Sequence, residues 1–176
     1  DEEGARAAFD EALAEYQEHP ALAQVMGLMA EAYWDLAMAE ERQGLKSKAD
    51  DHFAKALIEF ERMIAALPDT PYHSAYAHHF AASAYSRFGQ HDKAMEYWQK
   101  VLDKWPDYDS AWHLQYMIGR RYEYLKRHGE MSEEEADAKT RIAYEKVVAN
   151  YPDSPAARGA RHWLEAQAST VEGETK

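Results

Sequence analysis

The sequence predicts an all-α fold in which antiparallel helix pairs stack into a solenoid closed by a C-terminal capping helix. Three observations predict it. Apolar residues recur at helical spacing through most of the 176-residue chain, and no segment between turn signals alternates with period two. Gly and Pro number only eight and six and fall between the apolar runs. The same punctuation also recurs, as Leu67-Pro68-Asp69, Trp105-Pro106-Asp107 and Tyr151-Pro152-Asp153. Each closes one run and precedes another, which marks an internal repeat about 40 residues long.

Periodicity places helices at 2–17, 21–43, 46–67, 71–88, 91–105, 109–128, 132–150 and 154–169. The first carries its apolar residues at Ala5, Phe9, Ala12 and Leu13. Gly44, Gly89 and Gly129 fall in the turns inside the pairs, where a left-handed backbone after a helix suits glycine. Thr70-Pro71 and Ser154-Pro155 read as an N-cap followed by a first-turn proline. Ser132-Glu133-Glu134-Glu135 reads as a capping box, with Ser132 and Glu135 each satisfying the other's amide. In the last helix Ala157, Ala160, Trp163, Leu164 and Ala168 face the preceding repeat, while Arg158, Arg161 and Glu165 face water. Residues 1–169 thus form one solenoid with a flexible polar tail at 170–176.

Composition narrows the function. Thirty-two acidic against 20 basic side chains give a net charge of −12, which repels nucleic-acid phosphates. The absence of cysteine removes disulfides, zinc–cysteine sites, iron–sulfur clusters and thiol nucleophiles. No run approaches the 18 to 20 or so apolar residues of a membrane-spanning helix. Asp1-Glu2-Glu3-Gly4 lacks the layout of a secretory signal, and no initiator Met precedes it, as expected of a processed or trimmed chain.

Ala75 to Tyr108 carries Ala81-Ala82, Tyr85, Gly89, Ala94, Trp98 and Pro106 in the pattern of a tetratricopeptide repeat, and the segment resembles that family. A further unit at 109–154 is similar through Ile118-Gly119, Tyr122, Tyr144, Val147 and Pro152. It has an insertion at 130–139 and Thr140 in a slot expected to hold Ala. The unit at 30–68 shows Tyr33, Leu36-Ala37, Gly44, Ala49, Phe53 and Ala56, with Glu40 in the usual Tyr slot. Its second helix is about two turns too long. The helix at 2–17 looks like the second half of a truncated unit. The resemblance implies a right-handed superhelix, with Ala37, Ala82 and Gly119 at close helix approaches and Tyr85, Trp98, Tyr122 and Tyr144 between pairs. The Tyr-Pro-Asp-Ser-Pro ending is similar to bacterial envelope relatives, the Tol-Pal coordinator and the outer-membrane assembly lipoprotein. That likeness implies a periplasmic or cell-envelope location rather than a cytoplasmic one.

Catalytic chemistry finds little footing. His78 and His79 diverge by about 100° on a helix, and neither lies at i, i+4 from His73, the spacing that puts two ligands on one helix face. No serine sits in a G-x-S-x-G elbow, and there is no Gly-rich phosphate loop. We therefore expect no enzyme activity, cofactor or metal. Full histidine protonation would remove most of the excess negative charge, which offers a pH switch only if the histidines face a partner.

The resemblance implies an inner groove lined by the first helix of each pair. Carried onto this chain it gives Trp34, Met38, Tyr76, His79, Arg87, His113, Tyr116, Arg120 and Tyr124 as a partner-binding set, with Glu41, Arg42, Ser83 and Glu123 beside them. Aromatic and Arg side chains dominate binding hot spots. Trp34 and Tyr116 serve equally well as packing between repeats. The Lys and Asn pairs that grip chaperone C-termini in this family are replaced by Trp34, Met38 and Phe80, so that clamp is missing. The acidic run Met131 to Asp137 reads either as a dock for a basic partner or as a solvated helix start. The function expected is a protein-interaction module or adaptor for a basic protein or peptide. The alternative is a permanent structural subunit of a larger assembly.

Overall fold

Among the described residues, apolar spacing becomes helix at each of the eight predicted places. The computed structural model describes residues 2–15, 21–67 and 70–174. Among them are α1 (Glu2–Glu15), α2 (Leu22–Arg42), α3 (Lys46–Ala66), α4 (Pro71–Arg87), α5 (His91–Lys104), α6 (Ala111–Arg127), α7 (Glu133–Asn150) and α8 (Pro155–Glu174), with no strand. Pro68 and Asp69 of the first punctuation, and residues 16–20 where the first predicted helix ends, lie outside the described residues, as does the side chain of Ala5. α8 runs to Glu174, past the end at 169 set by periodicity. Contacts divide the chain into two compact units, Asp1–Ala94 and Met95–Lys176, where the sequence suggests one continuous solenoid.

In the first unit, α2 and α3 pair through the turn at Gly44, whose φ of 77° is left-handed and costs glycine little. α3 buries Ala49, Phe53, Ala56, Phe60 and Met63, one stripe at helical spacing. Ala37 of α2 and Ala49 of α3 are fully buried in the same cluster as Phe53, so the absence of bulk lets these helices approach. Replacing fully buried Phe60 by Ala would cost about 3–5 kcal/mol. α4 packs on α3 and α2 with an alanine-rich buried side of Ala75, Ala77, Ala81, Ala82 and Ala84. Glu40, in the slot where the repeat pattern expects Tyr, lies 2.6 Å from His52 Nδ1 and ties α2 to α3.

α1 is fastened by charge. Arg6 reaches Asp10 at 3.0 Å and Glu59 at 2.7 Å, while Arg62 reaches Asp10 at 2.9 Å and Glu59 at 3.2 Å. These four groups close a ring of alternating sign. Glu59, 2% exposed, is its buried corner on α3. Burial opposes the charge on Asp10, but hydrogen bonds from Arg62 and Arg6 outweigh it and hold that carboxyl below its usual range.

The second unit is built around Tyr144. α6 buries Ala111, Leu114, Ile118 and Gly119, and α7 buries Ala136, Thr140, Ala143, Tyr144 and Val147. A Cβ on Gly119 would collide with the Tyr144 ring, so the glycine is what lets α6 lie against α7. The Tyr144 hydroxyl donates to Glu123 at 2.6 Å; burial first, then this carboxylate, pushes its pKa far up. α8 covers this core with buried Ala156, Ala157 and Ala160 and half-buried Trp163 and Leu164. Arg158, Arg161 and Glu165 are exposed as expected, and so is Ala168, whose turn of α8 has passed beyond the core.

The caps differ from their sequence reading. Ser132 accepts from the Glu135 amide at 3.3 Å, but the Glu135 carboxylate pairs with Lys139 at 2.7 Å. Thr70 makes no side-chain cap although Pro71 opens α4 as predicted, and the Ser154 hydroxyl is buried without a partner. Pro at the first helical position already supplies the φ and lacks the orphan N–H, so these helices start without a hydroxyl cap. In the insertion, Lys126 lies 2.7 Å from Glu133 and 2.8 Å from Asp137. Part of the acidic run is therefore paired with the end of α6.

Candidate functional site

In the first unit, five of the residues singled out by sequence gather along α2 and α4. Trp34 stands edge-on to Phe53 at 4.9 Å and to Phe80 at 5.0 Å. Tyr76 and His79 lie against the same Phe80 ring at 4.5 and 4.8 Å. Met38 packs beside Trp34 on the Ala37–Ala49–Phe53 cluster. The Arg87 guanidinium sits over the Phe53 ring at 4.2 Å and bonds Asp50 at 2.9 Å and Glu41 at 2.7 Å. All five are half-buried. Arg87 thus clamps α4 to α2 and α3, and its charge is matched within the protein. Trp34, Tyr76 and His79 form an aromatic spine with one side toward the core and the other partly open.

In the second unit, the other four residues lie on α6. Tyr116 stacks on Tyr144 at 5.2 Å, and Arg120 hydrogen-bonds Tyr116. Tyr124 stacks on His128 at 4.0 Å and lies beneath Arg121 at 4.7 Å. His113 is beside Trp112 at 5.5 Å, and burial pushes its pKa down, favouring the neutral ring. Arg120 and Tyr124 are exposed, while His113 and Tyr116 are half-buried.

One concavity escaped the sequence reading. A cleft of about 360 Å³ opens between α2 and α4, lined by Ala23, Gln24, Gly27, Leu28 and Glu31 of α2, Met63 of α3, and Tyr72, His73 and Tyr76 of α4. Its floor is fully buried Met63. Leu28 and Tyr72 stand 58% and 60% exposed at its edge, conspicuous for large apolar groups. Tyr72 stacks on Tyr76 at 6.3 Å, so two tyrosines form one wall.

Of the predicted set, only Tyr76 lines this cleft. The signal that pointed to it was length. α2 and α3 are each 21 residues, against 17 in α4 and 14 in α5. The surplus turns of α2 before Trp34 and of α3 before Ala66 supply the cleft's second wall and floor. A reading anchored on the repeat signature begins too late on α2 to see them.

The histidines do not converge. His78 is buried, and its Nδ1–H donates to the Ser74 carbonyl at 2.7 Å, while His79 turns to the aromatic spine. Among the described residues, no three His, Cys, Asp or Glu side chains are grouped to hold a metal ion. Nor is any helix there long and apolar enough to cross a membrane.

Residues 81–108 match the tetratricopeptide repeat family model. Within that segment Ala81, Ala82 and Ala94 are fully buried, and Tyr85 and Trp98 are 6% and 4% exposed, as the pattern requires of its small and large slots. No curated protein matches the chain. The all-α architecture and this match together make the fold tetratricopeptide-like, of a class that generally serves protein–protein interaction.

Proposed function

We propose that this protein is a non-catalytic interaction module that binds a segment of a partner protein along the α2–α4 face. The observation that carries the reading is that face itself. A fixed aromatic spine of Trp34, Tyr76 and His79 runs beside an open cleft whose rim exposes Leu28 and Tyr72. Rigid aromatics offer large contact area with few rotamers to lose, which makes them effective anchors. Met38 and Arg87 support the spine, and His113, Tyr116, Arg120 and Tyr124 of α6 are proposed to contribute partner contacts of their own. The net charge of −12 favours a basic partner.

A permanent place in a larger assembly, in a cell envelope or elsewhere, is the second reading. Ile58 on α3 and Ile142 on α7 favour it, since they are 55% and 54% exposed on helices other than α2 and α4. Binding kinetics of a captured partner separate the two. The interaction-module reading expects reversible binding whose on-rate falls as salt rises, lost in a His79→Ala/Tyr72→Ala variant of unchanged helicity. Binding retained by that variant and lost in Ile58→Asp or Ile142→Asp would transfer the function to the outer helices.

A further inference from the structure

We infer that the α2–α4 cleft is a socket for one bulky apolar side chain of a partner segment that carries Lys or Arg within about one helical turn of it. The inference rests on the interaction reading above and adds the chemistry of the ligand. Size sets the first part. At about 360 Å³ the cleft is at the small end of ligand pockets. It cannot take a whole helix, whose diameter with side chains is about 10–12 Å. One Leu-, Met- or Phe-sized group suits it. Gly27 gives the depth: a Cβ there would come 3.9 Å from the Met63 Cε, so the glycine leaves the space above Met63 open. Leu28 and Tyr72 stand at the entrance, where burial against an incoming side chain removes apolar surface from water.

Charge sets the second part. Among the nine lining residues Glu31 is the one carboxylate, and none is Lys or Arg. Asp35 follows one turn later on α2, and both are exposed. These carboxylates extend along α2 from the cleft, and the Tyr72 and Tyr76 rings line the same cleft. Gln24, exposed on the lining, offers an amide to a peptide backbone. An acidic segment would meet like charge, and a purely apolar one would leave Glu31 and Asp35 unmatched.

The test is selection of a random dodecapeptide library on the full chain, followed by fluorescence anisotropy of enriched peptides on variants. The expected peptides carry a large apolar residue with Lys or Arg one to four positions away. They should lose at least about tenfold in affinity on Gly27→Leu, which fills the socket, and on Glu31→Lys. Tyr72→Ala should weaken them too, and because Tyr72 is exposed it guards against misfolding of the Gly27 variant. Peptides that bind Gly27→Leu and Tyr72→Ala as tightly as the parent overturn the socket. If these same peptides are lost on His79→Ala, the interaction face survives without it. Enrichment of acidic or uncharged peptides indifferent to Glu31→Lys overturns the cation requirement. No enrichment at all counts against both the socket and the interaction reading. Concentration-dependent self-association abolished by Gly27→Leu would make a second copy the occupant and reject the peptide.

Discussion

Gly119 shows how much one absent methyl can carry. Its helix meets the Tyr144 ring so closely that any Cβ must displace the ring, and Tyr144 is itself 1% exposed and bonded to Glu123. Gly119→Ala should therefore destabilise the second unit by about 1–3 kcal/mol, measured by urea denaturation. The same change at an open helix site would stabilise. Thr140 works in the opposite sense. It fills a small slot with no exposure, and its hydroxyl has no partner. Thr140→Val should raise stability by about 1 kcal/mol by removing an unsatisfied buried polar group. Gly119 was legible in the sequence as the small residue of the repeat, and Thr140 as a departure from it. The lone hydroxyls of Thr140 and Ser154 were not, because a propensity for capping does not reveal whether the neighbouring amide already has what it needs.

Among the elements, α1 and α6 carry the most testable consequences. α1 is tied to α3 by the Arg6–Asp10–Arg62–Glu59 ring, with Glu59 as its buried acceptor. Glu59→Gln keeps the shape and removes the charge that both arginines face. It should weaken α1 docking by about 1–3 kcal/mol, seen as faster amide exchange in α1 than in α4. In α6, burial lowers the His113 pKa below its unfolded value of 6.5. A depressed histidine binds fewer protons folded than unfolded. Its contribution is therefore complete above about pH 6.5 and is lost as pH falls through the lower folded value. His113→Asn should flatten that part of the stability profile, checked by thermal melts from pH 7.5 to 5. Neither effect was visible in sequence. Ion rings and desolvation arise from side chains brought together across helices, whereas helix positions follow from spacing within each one. That is why the eight predicted helices reappear among the described residues, with α8 continuing past its expected end to Glu174.

For the whole molecule, sequence regularity and functional irregularity separate. Residues 81–108, where the repeat match lies, give the fold its clearest signature. The cleft is instead made where α2 and α3 overrun that pattern, and Leu28, Met63 and Tyr72 meet there from three helices. Trp34, Tyr76 and His79 were singled out in the sequence, and they come together along α2 and α4. The concavity was not, since it depends on what the surplus turns leave empty.

Two-dimensional carbon–proton spectra of the methionine methyls test the central claim most directly. The seven methionines are spread along the chain, with Met63 on the cleft floor and Met131 in the turn before α7. At saturation with a peptide bearing the apolar-plus-basic pattern, the Met63 methyl should shift strongly and Met131 should stay fixed. A bound peptide that leaves Met63 unmoved would contradict the account, and a response confined to Met117 or Met131 would place binding in the second unit.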